Sequence, residues 1–206
     1  MEATVTDRVM LFVDYQNTYH AAREVFHQPL APHWIGQVDP GKIGRLLVER
    51  SQFDRVLAGV RVYRGLPSPT KDPKGYGASR AQAAAWERDE LVTVMSRPLR
   101  YPRDYPRSKA EEKGIDVALA VDFVMGAVKG WFDVGVIMSR DTDLKPAMEA
   151  VLDELHGIRV EVAAWNRPEV HTGRLSLPGR KIWCHWLQED DYEAVRDDRD
   201  YNRRDR

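Results

Sequence analysis

Five short apolar runs restrict the fold of this chain more than any other feature. They are Val9 to Val13, Arg55 to Tyr63, Leu91 to Met95, Val134 to Met138 and Arg159 to Ala164. Most are rich in valine and apolar on both faces, which suits parallel strands covered by helices on two sides. Helical stretches separate them: Thr18 to Phe26, Pro40 to Ser51, the Ala-rich Gly77 to Arg88, Asp116 to Val128, and Asp143 to Leu155. Strand alternating with helix predicts an α/β fold, a three-layer α/β/α sandwich around a mainly parallel sheet of about five strands. The run "KIWCHWL", Lys181 to Leu187, is a candidate edge strand.

The remaining segments break this rhythm. "GLPSPTKDPKGYG" (Gly65 to Gly77) and "RPLRYPRDYPRSK" (Arg97 to Lys109) are Pro-rich and read as loops. After Gln188 the chain is almost all charge, so residues 189–206 are expected to form a disordered tail behind one domain spanning 1–188. With 206 residues, 43% of them hydrophobic, the chain has material for one proper core. Trp131, Trp165, Trp183 and Trp186 adjoin strands and are expected to pack in it.

The net charge of -1 marks neither a nucleic-acid nor a membrane binder, so any such preference must come from uneven charge distribution. The start, "MEATVTDR", lacks a signal peptide's basic and apolar regions, and no apolar run approaches the ~20 residues that span a bilayer. Cys184 is the single cysteine, which excludes an internal disulfide and a cysteine-based zinc cluster. A cytoplasmic protein without membrane attachment is expected.

Chemistry concentrates in carboxylates. In open α/β sheets functional groups gather at the carboxyl ends of the strands. Asp14 ends the first strand, and "SRDTD" after the Val134 strand brings Asp141 and Asp143 to the same edge. Asp116 opens the helix that leads into that strand. Each could instead be a helix cap, since aspartate favours helix N-termini. Asp122, six residues beyond Asp116, points elsewhere on the helix and is assigned a structural or supporting role. Carboxylates about 4 Å apart repel by roughly 4 kcal/mol at an effective dielectric of 20, so convergence calls for a cation. Oxygen ligands without His or Cys suit Mg²⁺ or Mn²⁺, and such an ion supports phosphodiester hydrolysis. The six histidines show no metal-ligand spacing.

"FVDYQNTY", "EKGIDVALAVDF" and "VGVIMSRDTDLKPAME" resemble, in order and spacing, the three signature segments of NYN domains, PIN-like nucleases close to the LabA-like group. The resemblance runs from about Val9 to Ala164. It implies a five-stranded parallel PIN-like core and a divalent-metal ribonuclease site. By motif position Asp14, Asp116, Asp141 and Asp143 would be catalytic, metal-binding carboxylates. Asn17 would orient a ligand or phosphate, Lys113 would sit near the scissile phosphate, and Ser139 and Thr142 would bond water or phosphate oxygens. Two positions depart from the pattern: Arg140 replaces a glycine and Leu144 a phenylalanine. Arg140 would either crowd the site or clamp a phosphate.

RNA, single-stranded or structured, is the partner these segments suggest, and PIN-like domains make a homodimer possible. Lys71, Lys74 and Arg80 follow one strand, and Arg97, Arg100, Arg103, Arg107 and Lys109 follow the next, interleaved with Tyr101 and Tyr105. Basic residues contact phosphates, and exposed aromatic faces stack unpaired bases. The plain alternative is a solvated, Pro-stiffened surface. A haloacid-dehalogenase-type phosphatase also ends its first strand on Asp, but needs a second Asp two residues on, where Gln16 stands. A non-catalytic module that binds RNA, a nucleotide or a protein is the other reading, and Arg140 is the residue that favours it.

Overall fold

The computed structural model describes residues 6–170 and 172–203. Six strands form one sheet: β1 (Asp7–Asp14), β2 (Arg55–Leu66), β3 (Val92–Pro98), β4 (Val134–Met138), β5 (Arg159–Trp165) and β6 (Trp183–Leu187). All pairs are parallel, in the order β3-β2-β1-β4-β5-β6. Helices α1 (Tyr15–Phe26), α2 (Pro40–Glu49), α3 (Pro73–Trp86), α4 (Ile115–Val128), α5 (Lys145–Glu154) and α6 (Glu189–Val195) cover it. The expected α/β/α sandwich is present, with the Lys181 run supplying its sixth strand.

Side-chain alternation sorts the strands into two cores. Val9, Leu11 and Val13 of β1 pack with Ala22 and Val25 of α1, Ile43 and Leu47 of α2 and Tyr192 of α6. Phe12, between them, packs on the other face with Leu119 and Phe123 of α4 and Met148 and Val151 of α5. The helices start where the sequence provides caps. Asp39 accepts from Gly41 N and Lys42 N ahead of Pro40, and Asp72 accepts from Gly75 N ahead of Pro73. Proline at the first helical position costs nothing, because its missing N–H has no intrahelical partner there. The Asp72-Pro73 start therefore begins α3 four residues before the expected Gly77, and β2 extends through Leu66. Much of the segment read as loop is thus regular structure.

The chain lays down β1, β2 and β3 outward to one side, and α4 then returns it to β4 on the other side of β1. The loops leaving β1 and β4 consequently diverge, and the crevice at such a switch point is where open α/β sheets bind ligands.

The charged C-terminal segment is a correction to the sequence reading. Residues 189–195 form α6, on which Tyr192 and Val195 are buried. A capping box between Gln188 and Asp191 starts the helix, and Arg50 pairs with Asp191. Beyond it, buried Asp197 accepts bonds from Tyr201 Oη (2.6 Å) and Arg199 Nε (2.9 Å). Two apolar residues one turn apart suffice to dock a helix whose composition is otherwise charged. Residues 204–206 lie outside the described part. Trp165 is buried, whereas Trp183 and Trp186 are 57% and 37% exposed because β6 is the sheet edge. No described helix is long and apolar enough to cross a membrane.

Candidate metal centre

Three of the four expected carboxylates come together. Asp116, Asp141 and Asp143 each offer an oxygen, and these oxygens lie within 4.8 Å of one another. Asp116 comes from the first turn of α4, whose N-cap Gly114 has a φ of 72°, a left-handed conformation that favours glycine. Asp141 and Asp143 follow β4, where Asp141 caps a 3₁₀ turn (Thr142–Leu144) by accepting from Asp143 N at 3.0 Å. Three carboxylates with no nitrogen or sulfur donor match the ligand preference of a hard divalent cation.

Asp14 stands outside that set, behind it. Its Oδ1 accepts from Asn17 N (3.3 Å) at the start of α1, and its Oδ2 accepts from Ser139 Oγ (3.0 Å). The same Ser139 Oγ accepts from Asp141 N at 3.0 Å. The two bonds in series hold Asp14 within about 6 Å of the Asp141 backbone. Asp14 is only 8% exposed, and burial pushes its carboxyl up to about 6 against the lowering effect of the Ser139 and Asn17 bonds. Neighbouring Glu112 and Asp141 add repulsion.

The other motif residues serve mainly to hold the rim together. Asn17 Oδ1 accepts from Arg140 N (2.9 Å), and Thr18 Oγ1 donates to Met138 O (3.2 Å), which ties α1 to the loop after β4. Arg140 has no positive φ, so the backbone does not require glycine here. Its guanidinium bonds Glu24 at 2.8 Å along α1, so this side chain is engaged away from the carboxylates. Leu144 keeps the apolar role of its position and is 1% exposed. Lys113 and Thr142 are exposed at the same edge. Asp122 bonds Arg61 and Tyr63 at 2.8 Å each and takes a structural part.

The basic segments are placed beside the rim, though not all as expected. Arg100 and Glu111 exchange backbone bonds of 2.9 Å, which fastens the Arg97–Lys109 segment to the start of the Lys113 motif. Arg97 lies beside Gly114, where an added Cβ would come 3.8 Å from its Nε. Lys74, Arg80, Arg100 and Arg103 are exposed. Lys71 covers the Tyr101 ring at 4.9 Å, and Tyr101 and Tyr105 pack edge-on at 4.8 Å. One face of Tyr101 is thus taken by Lys71, and both rings remain part-exposed.

Glu112 is the carboxylate that the sequence reading missed. It precedes the Lys113-Gly114 pair and accepts from Gly65 N at 2.6 Å, with burial raising its pKa and the nearby Asp116 adding to the rise. Its signal, the second Glu of "EEKGID", was visible, but nothing in the spacing said that it folds back onto β2.

The family model described as the NYN domain matches residues 8–175, which includes Asp14, Glu112, Asp116, Asp141 and Asp143. Neither the curated proteins nor the solved structures gave a significant match.

Proposed function

This chain belongs to the NYN domain family, whose fold is that of PIN-like nucleases, and on that premise we propose that it is a divalent-metal-dependent ribonuclease hydrolysing RNA phosphodiester bonds. The observation that carries the reading is the convergence of Asp116, Asp141 and Asp143 at the switch point of the sheet. These three would hold Mg²⁺ or Mn²⁺. When bound, such a cation lowers the pKa of water and offsets charge on phosphoryl oxygens.

The chain's own groups account for the rest. Asp14 fixes the Asp141 loop through Ser139 and keeps α1 at the rim through Asn17. Gly114 gives α4 no side-chain cap, which leaves backbone N–H groups at a positive helix end for a phosphate. Lys113, Thr142, Arg100 and Arg103 extend the anion-binding edge, with Lys71, Lys74 and Arg80 as a further approach for RNA. Arg140, held by Glu24, is assigned to the scaffold instead of to a phosphate clamp.

The test is incubation of the purified chain with end-labelled single-stranded and hairpin RNA in Mg²⁺, Mn²⁺ or EDTA. Cleavage is expected only with metal, and Asp141→Asn should reduce it by at least about 100-fold, on the scale of losing a key transition-state interaction. RNA binding without cleavage in either metal would replace this reading with the non-catalytic one.

A further inference from the structure

Beside the carboxylate rim lies a cavity of about 560 Å³ that the proposed metal chemistry does not use. Ala78, Ser79 and Gln82 form one wall along a single face of α3, where two small side chains leave the space open. Tyr201, from the C-terminal segment, lines the cavity too. Glu112 joins the cavity to the rim, within electrostatic reach of Asp14 and Asp116.

Two buried polar groups of this lining lack partners. Ser79 is 4% exposed and its Oγ makes no hydrogen bond, and Arg64 Nε is likewise enclosed and unbonded. Arg64 donates from Nη1 to Gln82 Oε1 at 2.7 Å and lies over the rings of Tyr15 and Trp86, at 5.2 and 5.5 Å. Among the described residues no carboxylate lies within ion-pair distance of it, and Glu112 acts on it only from further off. Burial pulls its guanidinium below the usual pKa. Glu112 offsets part of that charge from a distance, but an enclosed cation with no carboxylate paired to it is still unfavourable, and so is an enclosed hydroxyl without a partner. A ligand with several acceptor oxygens and a negative charge satisfies both. Glu112, the acidic group in the lining, has its carboxyl engaged by Gly65 N–H, so the Arg64 end is the favourable place for that charge. The volume is within the ~300–1,000 Å³ of small-ligand sites and accommodates a sugar and base as well.

We propose that this cavity is a nucleotide subsite that takes one nucleoside monophosphate unit, its phosphate on Arg64 and Ser79, next to the metal-binding carboxylates. That an RNA strand supplies this unit rests on the ribonuclease reading, whereas binding of a free mononucleotide does not. Arg64 and Ser79 act as binding residues, and Tyr201, whose ring carries Arg199 at 5.2 Å, bounds the space for the base.

The experiment is calorimetric titration of the full chain in EDTA with UMP, CMP, AMP and GMP, the matching nucleosides, and inorganic phosphate. At least one monophosphate should bind with 1:1 stoichiometry. Its nucleoside and inorganic phosphate should each bind at least about tenfold more weakly, since each lacks half of the contacts. Ser79→Ala should weaken binding about tenfold without lowering the melting temperature, because the deleted hydroxyl has no partner to lose. Arg64→Gln should abolish binding. If that variant does not fold, Ala78→Leu, which fills the cavity from a half-buried position on α3, decides the matter by blocking binding. No binding of any monophosphate at about 5 mM, equal binding of phosphate and nucleotide, or binding unchanged in both Ser79→Ala and Ala78→Leu would overturn the proposal. Asp141→Asn should bind the nucleotide as the parent does. Absent cleavage with intact titration removes the ribonuclease reading alone, and intact cleavage with no titration removes this subsite alone.

Discussion

Replacing Asp14 by asparagine should stabilise the metal-free protein. Burial comes first among the causes that raise this carboxyl from about 3.8 to about 6, with Glu112 and Asp141 adding repulsion. A rise of about two units, at 1.36 kcal/mol each, means that holding Asp14 ionised at neutral pH costs the fold about 3 kcal/mol. The sign follows from a folded-state pKa above the unfolded one: the cost is absent below pH about 4, grows between about 4 and 6, and is complete above that. Asparagine caps a helix as well as aspartate does, so the Asn17 N–H keeps its acceptor. The new amide N–H group must face Ser139 Oγ, which retains a lone pair beside the one taken by Asp141 N–H. The net gain is therefore expected to be about 1–3 kcal/mol, or roughly 2–10 °C in melting temperature for a chain of this size. Urea and thermal unfolding in EDTA should show that gain at pH 7.5 and little difference at pH 4. A variant less stable than the parent at pH 7.5 would refute the reasoning, because Asp14 would then be a structural cap and not a group held at a cost.

Elsewhere in the fold, Glu161 is buried with Arg55 (2.6 and 3.0 Å) and His185 (2.7 Å), bonds that outweigh burial and hold its carboxyl at about 2. A depressed acid contributes stability above its unfolded pKa and loses it as pH falls, so the parent should lose about 3 kcal/mol between pH 4.5 and 2 that Glu161→Gln does not lose. Equal acid slopes in urea titrations would contradict this. Tyr192→Ala removes a ring that stacks on Phe26 at 5.0 Å and meets Trp165 at 5.8 Å, and should cost about 3–5 kcal/mol; an unchanged melting temperature would mean that the charged segment is dispensable. Arg140→Ala breaks one half-exposed ion pair with Glu24 and should cost under about 1 kcal/mol. It should leave metal-dependent cleavage within about threefold, in kinetics that a phosphate clamp would upset by far more.

The layer order was legible because hydrophobic runs report burial directly, and in a parallel sheet both faces of a strand are buried. The strand ends were legible for the same reason, so the carboxylates could be placed on one edge from the sequence. Which of them bring their oxygens together was not, because that depends on side-chain direction. Asp14 shares the edge yet turns into the Ser139 bond, while Glu112 arrives from a segment whose fold-back no spacing encodes. Composition misled at the C-terminus, where the charges of Glu189 to Arg199 concealed two docking residues, Tyr192 and Val195. The contact of Tyr101 with Tyr105 and Lys71 was not legible either, since it joins two separate segments. Arg140 appeared to threaten the site only while its partner Glu24, on a different element, was out of view.

The central claim is that a divalent cation sits between α4 and the loop after β4. Anomalous diffraction from a crystal of the chain soaked in Mn²⁺ tests it most directly. The account predicts a peak about 2.1–2.4 Å from oxygens of Asp116, Asp141 and Asp143, on the scale of hard-cation oxygen bonds, and its loss in Asp141→Asn. An empty rim in a crystal that carries Mn²⁺ at other carboxylates would contradict it.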